Sequence, residues 1–366
     1  LTMRITSKVG SGYSGTLPHL IQYDPHGDRK TLYTQFSTDY YGNPLTPATW
    51  TSPTMYNFYG KLDNYATVEG YGDNFILIAL QSHTGSFSPT VHNYGKIIGY
   101  YDNTYVNGGW QQVAFTFTAA QNHSPTNRRW ELYNEAGGLI EMQAMKSIGI
   151  NFGTTVNLSS FPHYSFYNNG DVVLYGAYNY GVKTSTLVTT VESNPSLKYS
   201  KIVLKTPLRI NGDSSIGIEL ANDMDDGYNT TTNPSYVANT YDAQPAEIRV
   251  TIGDEKNRYA GNISGNDANY VEGSIGLYVD NTAGYEYRLK EYEFLFGEYA
   301  KDSVLAYVNK GILTLDNQKY PSINIENGID NVGIVVTGTN SGLNLYPDMK
   351  VGTASSAVDG TVALIA

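Results

Sequence analysis

Gln112-Val113-Ala114-Phe115-Thr116-Phe117-Thr118 sets Val113, Phe115 and Phe117 on one side of an extended chain. A period of two in apolar residues is the mark of a strand with one buried face. The same reading applies to Asp171-Val172-Val173-Leu174-Tyr175, Lys201-Ile202-Val203-Leu204-Lys205, Glu247-Ile248-Arg249-Val250-Thr251-Ile252 and Gly333-Ile334-Val335-Val336. Between these runs, turn pairs recur at Gly10-Ser11-Gly12, Asn107-Gly108-Gly109, Asn169-Gly170, Asn211-Gly212 and Asp359-Gly360. Many short strands punctuated by Gly, Asn and Pro predict an all-β sandwich or barrel. Helical signal is confined to Arg128–Lys146, which Gly137-Gly138 interrupts, and to Glu298–Val308, so at most one or two short helices are expected there. No internal repeat of fixed period is visible.

The 366 residues exceed one ordinary domain, and the Thr/Ser-rich stretch Thr184–Ser200, with Asn194-Pro195, is the expected boundary. The expected fold is therefore all-β: two β-sandwich domains of immunoglobulin-like or pilin-like type with few short helices, over 1–195 and 196–366. Asp223–Thr240 reads as a stretch of low order.

Composition removes several functions. There is no cysteine, which excludes thiolate zinc sites, cysteine nucleophiles and iron–sulfur clusters. A formal charge of −11 argues against a nucleic-acid partner. No apolar run is long enough to span a membrane, and no membrane insertion is expected. The chain opens on Leu1 rather than Met, which reads as a removed leader or a trimmed start and points to an exported, extracellular protein. The 33 tyrosines suit strand packing and half-exposed sheet faces, and also supply amphipathic contact groups.

Catalytic patterns are missing. No Gly-x-Ser-x-Gly elbow occurs, and the histidines at 19, 26, 83, 92, 123 and 163 have no partner at a diagnostic spacing. Asp223, Asp225, Asp226 and Gly227 are one position short of a calcium loop and read as a solvated acidic turn. Glu131 and Glu135 lie four apart and read as solvated rather than as a glycosidase pair. No phosphate-cradling glycine motif is present. The chain is thus read as a binding protein without cofactor or metal, not an enzyme. Its candidate ligand-binding residues are Trp110, at a loop tip after Asn107-Gly108-Gly109, and Arg128, Arg129 and Trp130, where guanidinium groups beside an indole suit an acidic group and a sugar face. Trp50, beside Pro47 and Pro53, is the third tryptophan. The Asn-x-Ser/Thr sequons at Asn122, Asn157, Asn229 and Asn262 are expected by chance in so Asn- and Thr-rich a chain.

Residues 331–346, NVGIVVTGTNSGLNLY, and the closing DGTVALIA resemble the last strands of a pilin domain from chaperone–usher fimbriae. The length and all-β character are similar to the two-domain tip adhesins of that family, although the aromatic residue near the family's C-terminus is missing. The resemblance implies a fimbrial tip adhesin on the bacterial cell surface, with a receptor-binding first domain for a host glycan or glycolipid. It also implies a second domain completed by a strand from a neighbouring pilin subunit, with a periplasmic chaperone as a further partner. Val358, Val362 and Leu364 would then belong to the assembly strand. Two other readings stay open: a structural surface subunit (fimbrial shaft, viral coat or phage fibre), and a secreted carbohydrate-active enzyme with a buried carboxylate pair.

Overall fold

The computed structural model describes residues 2–7, 19–21, 30–32, 61–65, 67–72, 75–82, 90–101, 112–119, 129–152, 163–184, 201–221, 246–259, 267–280, 286–316, 322–352 and 358–366. Every regular element among them is a strand. In chain order these are β1 (Thr2–Ser7), β2 (His19–Ile21), β3 (Lys30–Leu32), β4 (Lys61–Asn64), β5 (Thr67–Gly72), β6 (Phe75–Ser82), β7 (Thr90–Asn93), β8 (Lys96–Tyr100), β9 (Gln112–Ala119) and β10 (Arg129–Asn134). There follow β11 (Leu139–Met142), β12 (Ile148–Asn151), β13 (His163–Asn168), β14 (Asp171–Leu174), β15 (Tyr180–Lys183), β16 (Lys201–Leu204), β17 (Leu208–Ile210), β18 (Ile216–Ala221), β19 (Ala246–Ile252) and β20 (Val271–Glu272). The last are β21 (Ile275–Asp280), β22 (Glu286–Phe296), β23 (Ala300–Lys301), β24 (Val304–Leu315), β25 (Ser322–Ile325), β26 (Val332–Val336), β27 (Ser341–Leu345), β28 (Asp348–Val351) and β29 (Val362–Ile365).

Their pairing is parallel throughout. β4 pairs with β7, β7 with β10, β10 with β13 and β13 with β16. β1, β5, β8, β11, β14 and β17 form a second run. β2, β6, β9, β12, β15, β18, β21, β24, β26 and β29 form a third. The chain therefore winds as a solenoid, passing through three stacks per coil and laying each strand on its counterpart in the coil before. β3 starts the first stack on β4, β19 and β22 each run through both the first and the second stack, and the second half of β24 and β27 continue the first; β25 and β28 pair at the far end of the second.

This corrects the expected immunoglobulin-like sandwiches. The strands named from the sequence are there, but an alternating pattern does not say which strand is the neighbour. Asn-Gly pairs reverse a chain in a hairpin and equally turn a corner in a coil. Asn169-Gly170 joins β13 to β14 as such a corner, and neither strand pairs with the other. The two stretches expected to carry helices are strands as well. Within 128–146, Gly137 takes a φ of 86° at the corner between β10 and β11, so the glycine pair turns a strand path instead of breaking a helix. Within 298–308 lie β23 and the start of β24.

Residues 185–200 and 223–240 lie outside the described residues. On either side of the first of these, β13 pairs with β16, β14 with β17 and β15 with β18.

The interior is filled by rows of apolar side chains, one per coil. One row reads Ile78, Phe115, Ile150, Val182, Ile218, Leu277, Ala306 and Ile334, all almost fully buried. Parallel strands demand such rows, because in-register stacking sets like on like. Gly149, Gly181, Gly217 and Gly276 form a row of close approach within the third stack. A Cβ on Gly181 would stand 2.4 Å from Leu208 Cδ1 and 2.6 Å from the Gly217 carbonyl oxygen, so no larger residue fits there without backbone movement.

Two buried polar ladders run along the coils. Asn64 Nδ2 donates to Asn93 Oδ1 (2.7 Å), Asn93 Nδ2 to Asn134 Oδ1 (2.8 Å), and Asn134 Nδ2 to Asn168 Oδ1 (2.7 Å). Asn168 Nδ2 ends the run on the Thr206 carbonyl. The second ladder sits at the entrance to the third stack. There the backbone N–H of Gln112, Ser147, Asn179, Ser215, Ser274 and Ser303 each donates to the side-chain oxygen of the next residue in the series, which closes on Asn331. Asn331 N–H reaches Thr361 Oγ1 at 3.4 Å. These bonds satisfy buried groups at corners, where the sheet ladder is interrupted.

Candidate functional site

The residues singled out for ligand binding are not assembled as a described cluster. Trp110 and Arg128 lie outside the described residues. Arg129 and Trp130 open β10, in register with His163 and Tyr164, and the description covers their backbone only. Trp50 and the acidic turn at Asp223–Gly227 are also outside. Val362 and Leu364 lie in β29, the last strand of the third stack, and Val358 lies just before it.

The outer face of the third stack carries a row of polar and aromatic side chains. Asn151 on β12 is in register with Lys183 on β15. Val182 opposite Ile218 sets Lys183 beside Glu219, Glu219 is opposite Tyr278, and Tyr278 is opposite Tyr307. All five are half-buried, so a stripe of amide, ammonium, carboxyl and phenol groups runs along the solenoid. Tyr278 and Tyr307 have ring centroids 5.7 Å apart and tilted planes. Thr337 Oγ1 donates to Tyr307 Oη at 3.0 Å, and Asn309 Nδ2 donates to Asp280 Oδ1 at 3.2 Å.

Glu219 is the electrostatic centre of this stripe. Its Oε2 is buried without a hydrogen-bond partner. Burial, and next to it the negative charge of Asp280, push the carboxyl up to about 7, while Lys183 and the backbone N–H of Thr184 pull the other way. Lys183 lies with its ammonium 4.4 Å from the centre of the Tyr180 ring. Burial and the Glu219 charge raise the Tyr180 hydroxyl in turn. A carboxyl that is half-protonated near neutrality either donates or accepts a hydrogen bond.

None of these residues stands out in the sequence, because their separations follow irregular coils. The steps of the second ladder span 32, 36, 59, 29 and 28 residues from Ser147 to Asn331. A local signal does exist: each stripe residue follows its ladder residue at one fixed offset, as in Asn179–Lys183, Ser215–Glu219, Ser274–Tyr278 and Ser303–Tyr307.

Two further surface features are ordered by the same stacking. His92, Tyr133 and Tyr167 stack outside the first stack at 4.7 Å per step, which is one strand spacing. His92 Nδ1 lies 2.6 Å from Glu135 Oε1. Outside the second stack, the segment 253–259 runs lengthwise as a strap. Glu255 N–H donates to Asn211 Oδ1, and Tyr175 Oη donates to Glu255 Oε2. The Arg258 guanidinium covers the Tyr175 ring at 4.2 Å. Tyr259 Oη donates to Gln143 Oε1, and its ring stacks on Tyr101 at 4.6 Å. Burial first and the Glu255 charge second push the Tyr175 hydroxyl up to about 12.

Among the described residues, no group of three His, Asp or Glu is placed to hold a metal, and no helix is long and apolar enough to cross a membrane. Comparison of the chain with protein-family models, curated proteins and solved structures returns no match.

Proposed function

We propose that this chain is a cell-surface protein that holds an extended glycan against the outer face of its third stack. The observation that carries this reading is the stripe Asn151–Lys183–Glu219–Tyr278–Tyr307, which repeats polar and aromatic groups at one strand spacing along a straight face. Phenol rings and amphipathic side chains suit sugars, which present an apolar face and a rim of hydroxyls. A linear polymer meets successive coils without bending, and weak contacts add along its length.

A glycan and glycolipid array probed with the full chain in multivalent display tests the proposal. Specific binding that falls about tenfold or more in Lys183→Ala and Tyr278→Ala supports it. Arg129→Ala and Trp130→Ala report on the site expected from the sequence, and loss confined to them would move the binding surface to β10. A blank array from folded protein would overturn the glycan reading.

A second reading, glycoside hydrolysis, draws on Glu219, whose raised proton affinity suits a general acid, with Asp280 as the neighbouring carboxylate. Reducing ends released from a bound glycan by the wild type and not by Glu219→Gln would select it.

A further inference from the structure

Between successive coils the solenoid sets tyrosine on tyrosine. Tyr65 and Tyr94 stack with ring centroids 4.6 Å apart and planes 5° from parallel, Tyr71 and Tyr100 at 4.7 Å and 7°, and Tyr133 and Tyr167 at 4.7 Å and 8°. In-register pairing of parallel strands imposes this geometry, since Tyr71 is the partner of Tyr100, and Tyr133 of Tyr167. Tyr278 and Tyr307 are partners in the same sense, but their rings stand 5.7 Å apart with planes tilted by 31°. The chain contains no cysteine, so no disulfide ties one coil to the next.

Tyr133 and Tyr167 carry more than packing. They lie in β10 and β13, which pair in register along their whole length of 6 residues. Both rings are half-buried, so a small oxidant meets them more readily than the ring of another molecule does. His92 covers the other face of the Tyr133 ring at 4.7 Å, which holds that ring between an imidazole and one tyrosine. The Tyr133 hydroxyl donates to the Glu131 carboxylate. Burial, and after it the Glu131 charge, raises the proton affinity of the hydroxyl above that of an ordinary tyrosine. The ring therefore does not lose its proton first. The hydrogen bond instead provides a base that accepts the proton at the moment an electron leaves.

We propose that Tyr133 and Tyr167 are a site of oxidative cross-linking, where hydrogen peroxide acting through a haem peroxidase joins them as dityrosine and ties the coil of β10 to that of β13. Each phenol gives up one electron and its hydroxyl proton, the Tyr133 proton passing to Glu131. The two tyrosyl radicals carry spin on the ring carbons ortho to oxygen, and near-parallel planes turn the π lobes of those carbons toward each other. One C–C bond forms between an ortho carbon of each ring. The hydrogen on each bonded carbon then shifts to the oxygen of its own ring, which restores both phenols. Hydrogen peroxide takes up the two electrons and two protons and leaves as two waters. The tilt and wider spacing of Tyr278 and Tyr307 set their π lobes apart, so that pair should couple poorly.

Treating the dilute full chain with a haem peroxidase and hydrogen peroxide tests this, with the product read by dityrosine fluorescence and by mass spectrometry of proteolytic peptides. The expected result is a peptide pair joining Tyr133 to Tyr167, lighter than the two separate peptides by two hydrogen atoms, from chains that still run as monomers in denaturing electrophoresis. Tyr133→Phe and Tyr167→Phe keep the rings and should each abolish that pair. Glu131→Gln should slow its formation about tenfold. The oxidised wild type should unfold at higher urea than the untreated chain, a shift that Tyr167→Phe lacks. Circular dichroism confirms that each variant is folded, and if one unfolds, the wild-type peptide map decides alone. Dityrosine found only between chains, a Tyr133–Tyr167 product no more abundant than one from Tyr278 and Tyr307, or a rate indifferent to Glu131→Gln would each overturn the proposal, whatever the glycan array shows.

Discussion

The asparagine ladder and the serine-rich ladder pass through neighbouring corners of the same solenoid but obey different rules. In the first, each side chain is both donor and acceptor to the next side chain: Asn93 accepts from Asn64 and donates to Asn134. Among the standard residues only an amide of this length has both functions at that reach, and all four positions are Asn. In the second, a backbone N–H donates to a side-chain oxygen one coil on, so any short side chain with an acceptor serves. Ser, Asn and Thr all appear there. The amide chain is stricter in sequence and more exposed to single failures, because breaking one link strands a partner on both sides.

The largest effect should come from cutting the strict ladder in its middle. Asn134→Ala leaves Asn168 Oδ1 without its amide donor, takes the acceptor from Asn93 Nδ2, and removes the bond to the Asp171 carbonyl. Urea unfolding should show a loss of roughly 3–5 kcal/mol. A loss below about 1 kcal/mol would mean that the ladder is replaceable and the contrast false.

The tolerant ladder should give less. Ser215→Ala removes the acceptor for Asn179 N–H and the hydroxyl that donates to the Gly176 and Asp213 carbonyls, at a cost of roughly 1–2 kcal/mol in the same assay. If Ser215→Ala costs as much as Asn134→Ala, the number of partners stranded is not what separates the two ladders.

The smallest effect depends on pH and is read at Glu219, one turn of the pattern beyond Ser215. The folded state holds its proton up to about 7, above the ordinary carboxyl value of 4.5. The folded protein therefore binds more protons than the unfolded chain between these values, and wild-type stability falls as pH rises across that window. Glu219→Gln should be more stable than wild type by on the order of 1–2 kcal/mol at about pH 8, with the gain vanishing near pH 4. A difference that stays constant over this range would place the burial energy elsewhere.

The contrast also explains what could be read beforehand. Strand positions were legible because inward alternation, as in Val172 and Leu174, is local. Strand partners were not, because the pairing of Val172 with Leu208 is set by coil length and leaves no mark between. The repeated unit was in plain view as Ser147-Ile-Gly-Ile, Asn179-Tyr-Gly-Val, Ser215-Ile-Gly-Ile, Ser274-Ile-Gly-Leu and Asn331-Val-Gly-Ile. A search for a fixed period passes over it, since the tolerant ladder accepts several residue types and the intervening segments vary from 28 to 59 residues. The segment NVGIVV, which resembles a closing pilin strand, is one more copy of this unit. Lys183 and Glu219 were out of reach for the same reason: a surface stripe assembled across coils shows only when the ladder residues are aligned first.

The strap at 253–259 bears on how the molecule responds to force. Between coils, the backbone hydrogen bonds point along the solenoid axis, so a pull on its ends loads them one coil at a time and peels the outermost first. The strap lies along that axis and fastens the coils of Tyr101, Gln143, Tyr175 and Asn211 to β19 through bonds spaced over its whole length. Tension there is shared among all of them, and that block should yield in a single larger event while the coils from β24 onward give way one by one.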